Sequence, residues 1–180
     1  MRRVLIFIPL LVALSCASVE DKVRSSSVDY TISPMMTFDT IKTIAVFAKD
    51  QVLYDEAVLN LLKTGKFDVI DRQKIDEILE EQEFSHSGLV DQETAVKVGK
   101  LLGANLIAFV EKISSGRDFD AYTSKISVKI IDVQTGRIMY VATAYGQSYE
   151  DEDDALKEGC KNAFYPLLKK FATNGEGDNR

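Results

Sequence analysis

Cys16 is the residue whose surroundings specify a chemistry. It follows Ala13-Leu14-Ser15. Small residues just before a cysteine are what a bacterial lipoprotein signal peptidase needs, because its pocket admits only small side chains there and the thiol takes a diacylglycerol. Leucine is usual where Ala13 stands, so the site resembles the looser lipoboxes. Ahead of it, Met1-Arg2-Arg3 and the apolar run from Val4 to Leu14 have the outline of a signal peptide. That run is too short for a hydrocarbon core, which needs about 20 residues. Residues 1–15 are therefore expected to be removed, leaving Cys16 as the lipidation site; the alternative is an ordinary secretory signal cleaved nearby, with Cys16 incidental. Each buried methylene of an acyl chain contributes about 0.8 kcal/mol, so two or three chains make the attachment effectively permanent. No aspartate follows Cys16, so nothing marks the chain for retention at an inner membrane.

The other chemically capable residues have bland readings that outweigh sharper ones. His86 is the single histidine, which removes every catalytic or metal scheme that needs two. Its neighbours Ser85 and Ser87 point different ways in a loop and do not make a triad with it. Cys160 recurs at helical spacing with Leu156, Ala163 and Phe164, and a buried free cysteine behaves as a small hydrophobe. The acidic run Glu150-Asp151-Glu152-Asp153-Asp154 complements the dipole of a helix start. As a calcium loop it lacks the turn glycine. No phosphate-cradling glycine loop follows the first strand, and Gly99-Lys100 has no upstream glycine of a P-loop. No catalytic residue, metal ligand or cofactor site is expected, and the chain reads as a binding module and not an enzyme.

Composition agrees. Without Arg2 and Arg3, Lys+Arg falls from 22 to 20 against 28 Asp+Glu, a mature net charge of −8 that repels nucleic acid. With Cys16 acylated, Cys160 has no partner for an intrachain disulfide.

Residues 16–40 are poor in aliphatics and contain Ser25-Ser26-Ser27 and Ser33-Pro34, so they read as a lipid anchor and flexible tether. A domain over residues 41–172 follows, and residues 173–180 read as a disordered tail. Ile41 to Ala48 is a β-branched first strand and Phe67 to Ile70 a second. Between them lies a helix with Val52, Leu53, Ala57, Val58, Leu61 and Leu62, ended by Gly65. Asp71 and Asp91 are expected to cap two further helices, the latter closed by Gly103. Three strands come next, Asn105 to Ile113, Tyr122 to Val133 and Arg137 to Gln147, an antiparallel meander. In the middle one Ile126, Val128 and Ile130 alternate with Lys125, Ser127 and Lys129, which predicts one dry face and one wet face. The last helix spans Asp151 to Phe171, with Pro166 kinking it. The expected fold is α/β (α+β): a small mixed sheet of about five strands flanked by about four helices.

Five segments match one pattern in order and spacing: Phe67 to Arg72, Leu79 to Gln82, Ser87 to Asp91, Gly99 to Asn105 and Ile131 to Gly136. Together they resemble the signatures of the CsgG-type, LpoB-like superfamily of envelope lipoproteins, over about residues 41 to 147. The glycines and aspartates among them begin and end elements, so the resemblance carries architecture and no active site. It implies similarity to the N-terminal domain of TolB, a lipid anchor on the periplasmic face of the outer membrane, and an envelope protein partner. That partner would be a peptidoglycan synthase or a secretion or assembly complex. The alternative expectation is a homo-oligomer, a structural component of an envelope complex whose domains form a ring through open sheet edges. The segment from strand three to strand five leaves no room for the lipid-crossing hairpins of a CsgG pore.

Overall fold

A computed structural model describes residues 28–81 and 92–173. Within them the sheet has six strands: β1 (Val28–Ile32), β2 (Lys42–Ala48), β3 (Phe67–Val69), β4 (Leu106–Asp118), β5 (Ala121–Asp132) and β6 (Ile138–Ser148). The described helices are α1 (Gln51–Lys63), α2 (Arg72–Glu81), α3 (Gln92–Leu101) and α4 (Glu152–Thr173). The sheet is open and mixed, in the order β1-β6-β5-β4-β2-β3. β2 is parallel to β3 and β4, while β4, β5, β6 and β1 pair antiparallel. The expected α/β class and the meander are both present.

Strand periodicity separates two cores. Ile44 and Val46 of β2, Leu106, Ala108 and Val110 of β4, and Ile126, Val128 and Ile130 of β5 face α1 and α4. Ala45 and Ile107 face α2 and α3 through Ile75, Leu79, Ala95 and Val98. Local signals set the helix boundaries. Asp50 caps α1 by accepting from Val52 N at 2.9 Å, and Asp71 accepts from Gln73 N at 2.7 Å before α2. Gly65 and Gly103 have φ of 65° and 67°, the left-handed ends their positions predict.

Two expectations are corrected. Residues 28–32, assigned above to the tether, form β1 against β6, with Val28 opposite Ala144 and Ile32 opposite Tyr140. Met36, also placed in the tether, is fully buried. Edge strands show weak hydrophobic patterning because the backbone ladder, which any sequence can make, contributes much of their attachment. The sheet therefore has six strands and not about five, and only residues before Val28 remain available as a tether. The connection expected from Ser114 to Ala121 is likewise strand: β4 continues to Asp118, past a bulge between Lys112 and Ser114. The added strand is polar, so no lipid-crossing pair results.

α4 lies against β5 and β6 at backbone contact. A Cβ on Gly146 would stand 2.0 Å from Ala155 O and 2.2 Å from Gly159 N, and one on Gly159 would stand 2.8 Å from Ile126 Cγ1. Two hydroxyls fix the helix beside this contact. Ser124 donates to Ala155 O at 2.6 Å, and the Tyr140 hydroxyl donates to Ala163 O. The latter bond falls one turn before Pro166, which continues inside the helix without an N–H to give. We expect Gly146→Ala to destabilise the domain by about 3 kcal/mol and lower Tm by roughly 10 °C, since backbone cannot move aside as a side chain can. Thermal unfolding followed by circular dichroism measures this, with Gly116→Ala, whose added Cβ meets only Thr123 Oγ1 at 3.8 Å, as the control expected to change little.

Candidate functional site

Cys16, the one residue to which the sequence assigns a chemistry, lies outside the described residues, as do His86, its flanking serines and Asp91. The remaining candidates lie among the described residues, and each has a structural occupation. Cys160 is fully buried, and burial first, then the Glu56 carboxylate, pushes its thiol above the ordinary range. Glu56 itself holds Asn60, whose Nδ2 donates to Glu56 Oε1 at 2.8 Å. In the acidic run Asp151 caps α4, accepting from Asp154 N at 2.8 Å. Glu152 takes hydrogen bonds from the Ser115 hydroxyl and the Lys112 ammonium, which hold its carboxyl below the usual range, the Lys112 contact being 3.2 Å. Asp154 is lowered by Lys157 at 2.8 Å. No group of three or more potential metal ligands occurs among the described residues.

A cleft of about 490 Å³ opens at the end of the sheet where β2 and β4 begin, between Phe38, Lys42, Lys100, Asn105 and Asp132. Two of its polar side chains, Asn105 and Asp132, are engaged within the fold. Asn105 Oδ1 accepts from Thr43 N and Thr43 Oγ1, both at 3.0 Å. Asp132 Oδ1 accepts from Thr135 N at 2.7 Å and Thr135 Oγ1 at 2.8 Å, closing the β5–β6 turn. These side chains organise backbone, which is what the matched signature segments were read to do.

Strand edges and a hairpin tip are open among the described residues. β1 and the three-residue β3 are the outer strands of the sheet. β4 pairs with β2 only as far as Val110, so from Glu111 to Asp118 its second edge has no strand beside it among the described residues. This exposed stretch continues into a two-residue turn, Phe119-Asp120, closed by the Asp118–Ala121 pair. Phe119 is 94% exposed and has φ of 51°, the one positive φ outside glycine among the described residues. The hairpin is not loose: Lys112 and Ser115 brace it on Glu152 of α4, and Arg117 stacks over Tyr122 at 5.0 Å. The sequence reading missed Phe119 because it took this stretch for a connection. An aromatic near the end of the polar string Ser114-Ser115-Gly116-Arg117-Asp118-Phe119-Asp120 was the available signal.

A structural role for Cys160 has a direct readout. In native protein the thiol should resist iodoacetamide at pH 8, and in denaturant it should alkylate fully, as intact mass reports. Alkylation of native protein at the rate of a free thiol would contradict its burial.

Residues 47–116, from the end of β2 through most of β4, match the family model described as curli production assembly/transport component CsgG. A comparison with curated proteins gives no match. Among solved structures, the PelC dodecamer from Paraburkholderia phytofirmans superposes with a TM-score of 0.53 at 12% identity, covering 79% of this chain and 96% of that one. The LpoB C-terminal domain from Salmonella enterica gives 0.45 at 16% identity, covering 64% and 87%. Lipoprotein GNA1162 from Neisseria meningitidis gives 0.46 at 12%, covering 74% and 94%. The PelC likeness shows a shared fold, and the family match spans four of the five signature segments named from the sequence. On those two findings the chain resembles the CsgG-type, LpoB-like superfamily, as its motifs predict.

Proposed function

We propose that the chain is an outer-membrane lipoprotein, anchored through Cys16 and facing the periplasm, whose domain is a non-enzymatic protein-interaction module that regulates or assembles an envelope machine. The match of residues 47–116 to a family described as an assembly/transport component carries this reading. The occupied polar groups support it: among the described residues, Asn105, Asp132 and Asp151 of the acidic run hold backbone in place and form no convergent cluster to act on a substrate. A partner would be engaged through main-chain groups of an open edge, the outer side of β1 or of β4 beyond Val110, with side chains setting specificity. Docking there would bias the partner's conformation by differential binding. Residues 17–27 separate Cys16 from Val28, a span of at most about 40 Å, which favours a partner close to the membrane. The family match favours a secretion or assembly complex over a peptidoglycan synthase as that partner.

Crosslinking in intact cells followed by mass spectrometry tests the proposal. We expect an envelope protein joined to Lys112 or Lys125, the lysines nearest the open β4 edge and the wet sheet face. Crosslinks confined to abundant envelope proteins, unchanged when Lys112 and Lys125 are both replaced by arginine, would contradict it.

The fold shared with a dodecamer favours a second reading, a ring-forming structural component that uses the same edges between copies. Sedimentation of a chain that begins before Val28, and so retains β1, separates the two readings. A ring component sediments as a large closed species, and a docking module as a monomer at the same concentration.

A further inference from the structure

We propose that the β4–β5 hairpin tip is a membrane-contact point that seats Phe119 in the headgroup region of the bilayer and fixes how the anchored domain stands on the surface. Phe119 occupies the turn position that glycine takes in a type II′ hairpin, where a bulky side chain with positive φ is a genuine outlier. At 94% exposure its ring gains almost nothing from its own domain in return. Other exposed apolar groups share this end: Tyr149, directly after β6, is 76% exposed, and Ile113 on the hairpin is 54% exposed. The hairpin that presents them is held stiff by Lys112 and Ser115 on Glu152.

A lipid surface is the occupant because of where the chain comes from. β1 runs antiparallel to β6, so Val28, opposite Ala144, lies toward the end of the sheet where β6 finishes and the tip projects. The chain leading back to Cys16 therefore leaves on the tip side. Along the strands the tip stands about 24 Å beyond Val28, at ~3.4 Å per residue, within the ~40 Å that residues 17–27 can span. An acyl anchor on Cys16 and Phe119 can thus reach one plane together. Asp118 and Asp120 flank Phe119, and the one cation beside them, Arg117, is stacked over Tyr122, so the contact is with zwitterionic headgroups and rests on the apolar side chains, not on charge attraction.

The inference rests on the proposed anchor at Cys16. The chain has no tryptophan, so Phe119→Trp supplies a single indole reporter, and Ile41→Trp, at the exposed residue before β2 on the opposite end of the sheet, supplies its control. Each full-length protein is expressed, extracted from membranes in detergent and reconstituted into phosphatidylcholine vesicles, which are then floated. We expect both variants to float, with the Phe119→Trp emission blue-shifted and quenched by brominated phosphatidylcholine while the Ile41→Trp emission stays that of a water-exposed indole. Protein that floats with a Phe119→Trp indole unquenched by brominated lipid overturns the contact and leaves the anchor standing. Protein that does not float overturns the anchor, and the contact with it. Equal quenching of both variants overturns the orientation.

Discussion

Backbone meets backbone where α4 crosses β6, and the rest of the domain is arranged around that approach. With no Cβ on Gly146 or Gly159, the helix comes close enough for Ser124 to reach Ala155 O and for Tyr140 to reach Ala163 O. At that distance Leu156, Cys160, Ala163, Phe164, Leu167 and Phe171 close the larger core over Ile126, Val128, Ala142 and Ala144. Small side chains on β6 leave room for the helix, and the buried hydroxyls would carry a large desolvation cost without their carbonyl partners. The same helix steadies the exposed part of the molecule. Its first turn holds Glu152 against Lys112 and Ser115, so the hairpin tip is positioned by the element that completes the core.

Elements with local signatures were legible in the sequence. β2 through the first half of β4, the middle of β5, and all four helices follow from apolar periodicity, with Asp71, Gly65 and Gly103 marking boundaries. β1 was not legible, because an edge strand of five residues buries only Val28 fully and is held by the ladder to β6. The distal half of β4 was hidden for the same reason: Lys112, Ser114, Ser115 and Arg117 are exposed, and their strand state depends on β5 beside them. Gly146 and Gly159 are thirteen residues apart and meet only through the fold, so no local pattern announces them.

The functional reading has a similar division. The proposed lipidation signal at Cys16 is local and needs no fold to be read, and the signature segments from Phe67 to Asn105 fall within the family match. In the structure Asn105, and Asp132 of the fifth segment, accept hydrogen bonds from Thr43 and Thr135, joining β2 to β4 and closing a turn. What faces outward instead is a strand edge and a strained aromatic, features that suit contact with surfaces larger than a substrate.

The central claim is that this domain works while tied to a membrane through one cysteine. Intact mass of the protein extracted from cell membranes tests it most directly. The account predicts a chain that starts at Cys16 and carries a diacylglycerol with or without a further acyl chain, and that loses this mass on Cys16→Ser. A chain of unmodified mass, or one cleaved at another residue with a free thiol at Cys16, would contradict it.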